Sequence, residues 1–324
     1  MLGAVRVVPE AAPPTLRVTQ DVRVGELFRI FLTTLALTIL TLGFYRFWGR
    51  TNLRRYLWSH VSLLGDRFEY TGTARELLNG FGRAAVVMTV AWLAYAGVSY
   101  LLEEAHPYLA TGVDVAWSVA LMYLSLVGGY AARRYRWSRT RWRGIRGAQT
   151  GSAWRYAGVV LGQWLLFALT LGLYGPWSTM RRTAYELRHS MLGNRTPTFD
   201  GRGGDLFGRW LGSWILMLPT LGLIRYWYRA HEMRYVAEHT RWGQVRYTLD
   251  VSGGSLLGLG LGNFALLVLT LGLAYSVTLE RRMRFWSEAV TLHGDPELAT
   301  VAQGAAAGPA SGEGLADFLD TGSV

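Results

Sequence analysis

Cysteine is missing from this chain, and so is lysine: all 33 basic residues are arginine. Without cysteine there are no disulfides, thiolate metal sites or cysteine nucleophiles. Without lysine there is no P-loop lysine and no Schiff-base chemistry. A GC-rich genome produces such a bias as readily as selection for phosphate-binding guanidinium forks does. Charge of either sign is also scarce, at 17% of 324 residues, against roughly 25% in ordinary soluble domains. No His-Glu-x-x-His, Gly-x-Ser-x-Gly or paired-carboxylate motif stands in a recognisable setting. The central turns of the apolar stretches carry no Asp, Glu or His, the residues that proton-coupled carriers keep near the midplane. The expectation is a protein that is not an enzyme, with no catalytic residue, cofactor or metal site.

Apolar and aromatic residues are abundant. Hydrophobic residues make up 51% of the chain, with 14 Trp and 17 Tyr. Six apolar segments stand out, at 27–45, 84–102, 113–131, 156–174, 206–224 and 256–275. Each is about 19–20 residues, near 30 Å of helix and the thickness of a bilayer core. Trp and Tyr gather at their ends, as in Tyr45 and Trp48, Tyr174 and Trp177, and Tyr226 and Trp227. That is where an interfacial belt places them. The net charge of +11 lies just beyond these segments, in the pattern of the positive-inside rule rather than of a nucleic-acid surface. Residues 1–14 and 295–324 are rich in Ala, Gly and Pro and are expected to be disordered tails around a membrane domain at 15–294. The N-terminus shows no cleavable signal pattern.

Four of the segments close on one phrase: Thr41-Leu42-Gly43, Thr170-Leu171-Gly172, Thr220-Leu221-Gly222 and Thr270-Leu271-Gly272. The last three glycines are spaced by 50 and 50 residues, an internal repeat. Aligned on the glycine, further positions match: Tyr56, Tyr185, Tyr235 and Phe285, then His60, His189 and His239. A Gly turn and an alternating strand follow, as in Gly65 to Tyr70 and Gly243 to Leu249, which predicts a small β-hairpin. A decayed copy lies in Arg133-Arg134-Tyr135-Arg136-Trp137-Ser138, mirroring Arg54-Arg55-Tyr56-Leu57-Trp58-Ser59. The expected fold is therefore an all-α membrane protein. It is a multi-pass helical bundle of tandem repeats of about 50 residues, each with a short β-hairpin at the membrane surface. The acidic turn at Glu103 and Glu104 is expected outside, with the Arg-rich flanks in the cytoplasm. For the repeat segments, length favours single crossings, whereas charge favours re-entry near the Thr-Leu-Gly, with Pro219 suited to such a break. Six crossings are the expectation.

Thr41 to Trp48, Arg54 to Trp58, and Phe68-Glu69-Tyr70-Thr71-Gly72-Thr73 with Glu76-Leu77 resemble the YjgN-like family over roughly residues 16–295. The resemblance implies a multi-pass bacterial inner-membrane protein with a domain of unknown function. It supplies no activity or catalytic residues.

Within the apolar segments a polar ladder recurs: Thr34 and Thr41, Gln163 and Thr170, Ser213 and Thr220, Asn263 and Thr270. Seven residues is nearly two helical turns, so each pair shares a face. The ladder is either glue between repeats or the lining of a polar path. The three histidines either close helix C-termini or meet as a proton or metal site. Glu26, Glu76 and Asp205, with Ser255 in the matching place, are expected as helix N-terminal caps. Arg133, Arg134, Arg136, Arg139, Arg141, Arg143 and Arg146 are either topology signals or contacts to anionic lipid headgroups. The functional expectation is a lipid-interacting or scaffolding membrane platform; the alternative is a channel or carrier for a small polar or anionic solute. Membrane lipids are the expected partners, and nucleic acid is not.

Overall fold

The structure is a computed structural model that describes residues 15–294; the tails expected at 1–14 and 295–324 lie outside the described residues. The chain opens with β1 (Thr15–Gln20), α1 (Val24–Leu40) and α2 (Arg46–Ser59), then β2 (Val61–Leu63) and β3 (Asp66–Tyr70). Next come α3 (Ala74–Ala105), α4 (Pro107–Arg139), β4 (Thr140–Trp142) and β5 (Ile145–Gln149). The third group is α5 (Ala153–Leu169), α6 (Gly175–Arg188), β6 (Ser190–Leu192) and β7 (Thr198–Phe199). The fourth is α7 (Gly203–Ile215), α8 (Ile224–Glu238), β8 (Thr240–Trp242) and β9 (Val245–Leu249). The last is α9 (Gly253–Leu269), α10 (Tyr275–Ala289) and β10 (Val290–His293).

All ten strands join one antiparallel sheet in the order β6-β5-β4-β3-β2-β1-β10-β9-β8-β7. The two edge strands, β6 and β7, are linked by residues 193–197 alone. Six extended residue steps reach about 20 Å, whereas a flat sheet of ten strands would hold its edges about 43 Å apart. The sheet must therefore curl until its edges are neighbours. The helices close the same circle: α2 packs on α3, α4 on α5, α6 on α7, α8 on α9, and α10 back on α1.

This architecture corrects the expected all-α multi-pass bundle. The hairpins are not separate surface features but parts of one curled sheet. Each pair of helices is also flanked by strands that pair with each other: β1 with β2, β3 with β4, β5 with β6, β7 with β8, and β9 with β10. Both ends of every helical pair are thus held in one sheet, so each pair leaves and returns on the same side. Six successive crossings are excluded by this pairing. Lengths agree: α1, α5 and α9 have 17 residues and α7 has 13, about 20–26 Å against the 30 Å a crossing needs. Among the described residues only two helices, α3 and α4, are long and apolar enough to cross a membrane.

The repeated phrase is the turn that reverses the chain. Thr41, Thr170, Thr220 and Thr270 each donate a side-chain hydrogen bond to the carbonyl four residues back, at 2.5–2.7 Å. Each hydroxyl also accepts from the backbone N–H four residues on. Leu42, Leu171, Leu221 and Leu271 then sit at φ near +50°, and the following glycine N–H reaches back five residues at 2.7 Å. This is a Schellman closure in which leucine occupies the left-handed position usually given to glycine. Pro219 shortens α7. It lacks an N–H and its ring would collide with the carbonyl of Ile215, where that helix ends.

Apolar burial is divided among the seams between hairpins. Val22, Leu27, Leu57 and Leu279 fill the α10–α1 seam, and Phe47, Ala74, Leu77 and Tyr135 the α2–α3 seam. Val127, Tyr130, Ala157 and Val160 lie between α4 and α5. At Gly253 a Cβ would stand 2.7 Å from the Cα of Trp227, so α9 can dock there only with glycine at that position.

Candidate functional site

The second helix of each pair carries the basic, aromatic stretch, and four of these helices, α2, α4, α6 and α10, line a cavity of about 480 Å³. Arg54 and Trp58 face it from α2, and Arg133, Arg136 and Trp137 from α4. Leu187 of α6, Trp242 of β8 and Met283 of α10 close the far side. All five hairpin groups thus contribute to one wall, as expected of a cavity on the axis of the ring. The sequence cause is simple. Arg54 and Trp58, like Arg133 and Trp137, are four residues apart and so share a helix face.

The wall is held from behind. The Trp58 indole donates to Thr140 Oγ1 at 3.0 Å, and that of Trp137 to the Met191 carbonyl at 2.9 Å. Arg133 is hydrogen-bonded to Glu186, whose other oxygen accepts from Tyr156 Oη at 2.7 Å. Arg54 is only 4% exposed. The lining contains three arginines and no Asp or Glu.

A second recurring device fixes each hairpin at its base. Tyr56 Oη accepts from the Arg23 N–H at 3.0 Å, and Tyr235 Oη accepts from the Arg202 N–H at 2.8 Å and donates to Asp205 at 2.5 Å. Tyr185 donates to the Ser152 carbonyl at 3.0 Å and Tyr135 to Glu76 at 2.7 Å. The second helix thereby grips the start of the first. Burial raises the Tyr56 and Tyr235 hydroxyls above their ordinary value of 10.0, so both stay protonated and can donate as well as accept. Phe285, lacking a hydroxyl, packs instead beside the Val251 cluster.

The model of a bacterial protein family of unknown function, DUF898, matches residues 15–224 and 213–318. The chain belongs to this family. YjgN-like proteins are DUF898 proteins, so the resemblance carried by Thr41 to Leu77 holds at the level of the family. No curated protein and no solved structure matches the chain.

In this DUF898 chain the polar ladder does not assemble. Its Thr41, Thr170, Thr220 and Thr270 are occupied by their own turns, as described above. Thr34 packs against Gly49, Ser213 donates to the Trp210 carbonyl at 2.7 Å, and the buried oxygens of Gln163 and Asn263 have no hydrogen-bond partner among the described residues. These four residues sit on α1, α5, α7 and α9, which pack chiefly against second helices rather than one another.

The histidines close helix ends. Nδ1 of His60, His189 and His239 meets the carbonyl of Tyr56, Tyr185 and Tyr235 at 2.8–2.9 Å, and each ring lies against that same tyrosine. A carbonyl only accepts, so Nδ1 carries the proton. Among the described residues no cluster of His, Asp or Glu could hold a metal ion. Of the expected caps, Glu76 and Ser255 complete capping boxes with Thr73 and Ser252. Glu26 and Asp205 stand in their helices' first turns beside Tyr56 and Tyr235.

The seven arginines of the α4 stretch are spread over several elements. Arg133, Arg134, Arg136 and Arg139 end α4, while Arg141, Arg143 and Arg146 lie on β4, its turn and β5. Arg133 pairs with Glu186, Arg139 with Glu76 at 2.9 Å, Arg141 with Glu69 at 4.0 Å and Arg143 with Asp66 at 2.5 Å, and Arg134, Arg136 and Arg146 have partners as well. Arg133 and Arg136 face the axial cavity instead of forming one outward patch with the rest. Sequence reasoning missed Arg54, Trp58, Trp242 and Glu186. The Arg-x-x-x-Trp spacing shared by Arg54 and Arg133 was the available signal.

Proposed function

We propose that this chain is a lipid-interacting platform of the bacterial inner membrane, seated by its helical hairpins and built from a tandemly duplicated unit. In this reading α3 and α4 cross the bilayer once out and once back. The four shorter hairpins dip into the near leaflet, and the curled sheet stays in the headgroup and aqueous layer on the arginine-rich, cytoplasmic side. The reading assigns lipids as partners and no catalytic role.

One observation carries it. Leu42, Leu171, Leu221 and Leu271 are 84–93% exposed, all at hairpin tips pointing away from the sheet. Below them the outer faces remain apolar: Ile39, Leu40, Leu169, Ile215 and Leu269 are each at least 67% exposed. On α3, Val86, Val87, Val90 and Leu93 are exposed as well. Apolar surface this continuous is not left to water. The solute-path alternative is less well supported, because the threonine half of its lining is used by the turns.

The test exploits the absence of cysteine. Single cysteines at Leu221 and Arg241 carry a fluorophore in protein reconstituted with bromine-labelled lipids. The tip label should be strongly quenched and the sheet label hardly at all. Equal, weak quenching at both positions would remove the membrane seat.

A further inference from the structure

We infer that the cleft framed by α5, α6, α7 and α8 seats one zwitterionic phospholipid, its phosphate on the arginines and its ammonium on Glu232. This rests on the membrane reading above and names a ligand within it.

The cleft has a volume of about 530 Å³, within the roughly 300–1,000 Å³ of small-molecule sites. Facing positions of α6 and α8 build it. Gly175, Ser178, Thr179 and Arg182 stand on one helix, and Arg225, Tyr228, Arg229 and Glu232 each stand 50 residues on. Spacings of three, four and seven put each set on a single helix face. Phe167 precedes Leu171 by four positions and Arg225 follows Leu221 by four, so the cleft begins beside two hairpin tips. Arg182 and Glu232 lie seven residues beyond Gly175 and Arg225, about 10 Å nearer the sheet.

The chemistry changes along that length. Trp164, Phe167 and Trp210 give an aromatic wall on the tip side, whereas Arg182, Arg229 and Glu232 meet toward the sheet. Glu232 is 4% exposed and accepts from Arg229 Nη1 at 2.8 Å, while Arg182 reaches the Tyr156 hydroxyl. The Arg225 guanidinium lies 4.8 Å from the centroid of the Trp210 ring, whose indole N–H is fixed on the Gly172 carbonyl at 3.0 Å. Stacking of this kind leaves the N–H edge of a guanidinium to meet phosphate oxygens. A carboxylate engaged through one oxygen still accepts an ammonium on the other. An aromatic end beside the tips and a charged end toward the sheet match a lipid, with acyl chains deep and the head shallow. Glu232 selects the head: it attracts the ammonium of ethanolamine and disfavours a headgroup whose only charge is negative.

The seam of α10, α1 and α2 supplies the comparison. Its cavity of about 280 Å³ uses the matching positions Arg46, Gly49, Arg50 and Leu53. Leucine stands there in place of Glu232, and glycine in place of Tyr228, with Thr34 packed against it. The buried carboxylate is therefore particular to the α5–α8 cleft and is not a product of the repeated frame.

The experiment uses the full chain, purified in detergent and stripped of lipid, with native mass spectrometry as the readout. Phosphatidylethanolamine should form a one-to-one complex at least about tenfold tighter than phosphatidylglycerol of the same acyl chains, the value of one charge-assisted contact. Phosphoethanolamine, the soluble head alone, should not displace it; displacement would assign a soluble zwitterion and overturn the lipid. Glu232→Gln keeps the shape of the side chain and should bring the two lipids to equal affinity. Arg225→Gln, at an exposed position, should weaken both alike, because both carry a phosphate. That variant decides the matter where the buried Glu232→Gln fails to fold, and phosphatidylethanolamine binding unchanged by it overturns the site. So does equal affinity for the two lipids in the unaltered chain, or a preference that survives in folded Glu232→Gln. Tip quenching at Leu221 separates the two levels. Strong quenching with no lipid preference removes the cleft alone, and absent quenching removes the membrane seat and the cleft with it.

Discussion

Replacing Leu42, Leu171, Leu221 and Leu271 by glycine should raise the stability of the detergent-solubilised protein while loosening its hold on a bilayer. All four leucines stand at φ of 49–51°, where a side chain costs about 1–2 kcal/mol relative to glycine. Glycine gives back about 0.4–1 kcal/mol through its freer unfolded chain. The four changes together should therefore stabilise by roughly 2–4 kcal/mol in a denaturant titration. A sequence that keeps leucine at all four strained positions is under some other constraint. In the membrane reading that constraint is contact with acyl chains, each buried leucine contributing about 1.5–3 kcal/mol. The quadruple variant should then show shallower tips by the lipid-quenching measurement. Loss of stability in detergent would mean that the leucines serve the fold alone.

Glu76→Ala should be among the most damaging single changes in the chain. The carboxylate completes the capping box with Thr73 at the start of α3, accepts from Tyr135 Oη at 2.7 Å and pairs with Arg139 at 2.9 Å. It thus joins both ends of the longest hairpin. Losing the cap and a charge-assisted hydrogen bond together costs about 2–5 kcal/mol. Glu76→Gln should recover part of this, because an amide oxygen can still accept from Tyr135. Glu103→Ala, at an exposed position near the opposite end of the same helix, should change stability by less than about 0.5 kcal/mol. Equal effects of Glu76→Ala and Glu103→Ala would refute the clasp.

Local features were legible in the sequence. The Thr-Leu-Gly phrase and the shared phase of Tyr56, Tyr185 and Tyr235 stood out as repeat positions, although neither the chain reversal at the phrase nor the clasp role of the tyrosines was read from them. The β-hairpin of Asp66 to Tyr70 followed from alternation and a glycine turn. What stayed hidden was long-range. The pairing of Thr15 with His293, which joins β1 to β10, links strands of 6 and 4 residues with no local signal of their partner. Without that closure the curled sheet cannot be inferred, and segments of crossing length are naturally read as crossings. Those segments looked long enough because the apolar run continues through the turn, from Leu40 past Leu42 to Phe44, although the helix has ended. The axial cavity was equally hidden, since Arg54, Arg133, Trp242 and Met283 are brought together only by the ring.

The central claim is that every helical hairpin begins and ends on one side of the membrane, with only α3 and α4 passing through it. Sidedness of single cysteines tests this most directly, using a membrane-impermeant maleimide on right-side-out and inverted vesicles. Arg188 at the base of α6, Arg241 on β8 and Thr19 on β1 should all label from the same side, and Tyr108, 92% exposed at the far end of α4, from the other. Labelling of Arg188 and Arg241 from opposite sides would contradict the account.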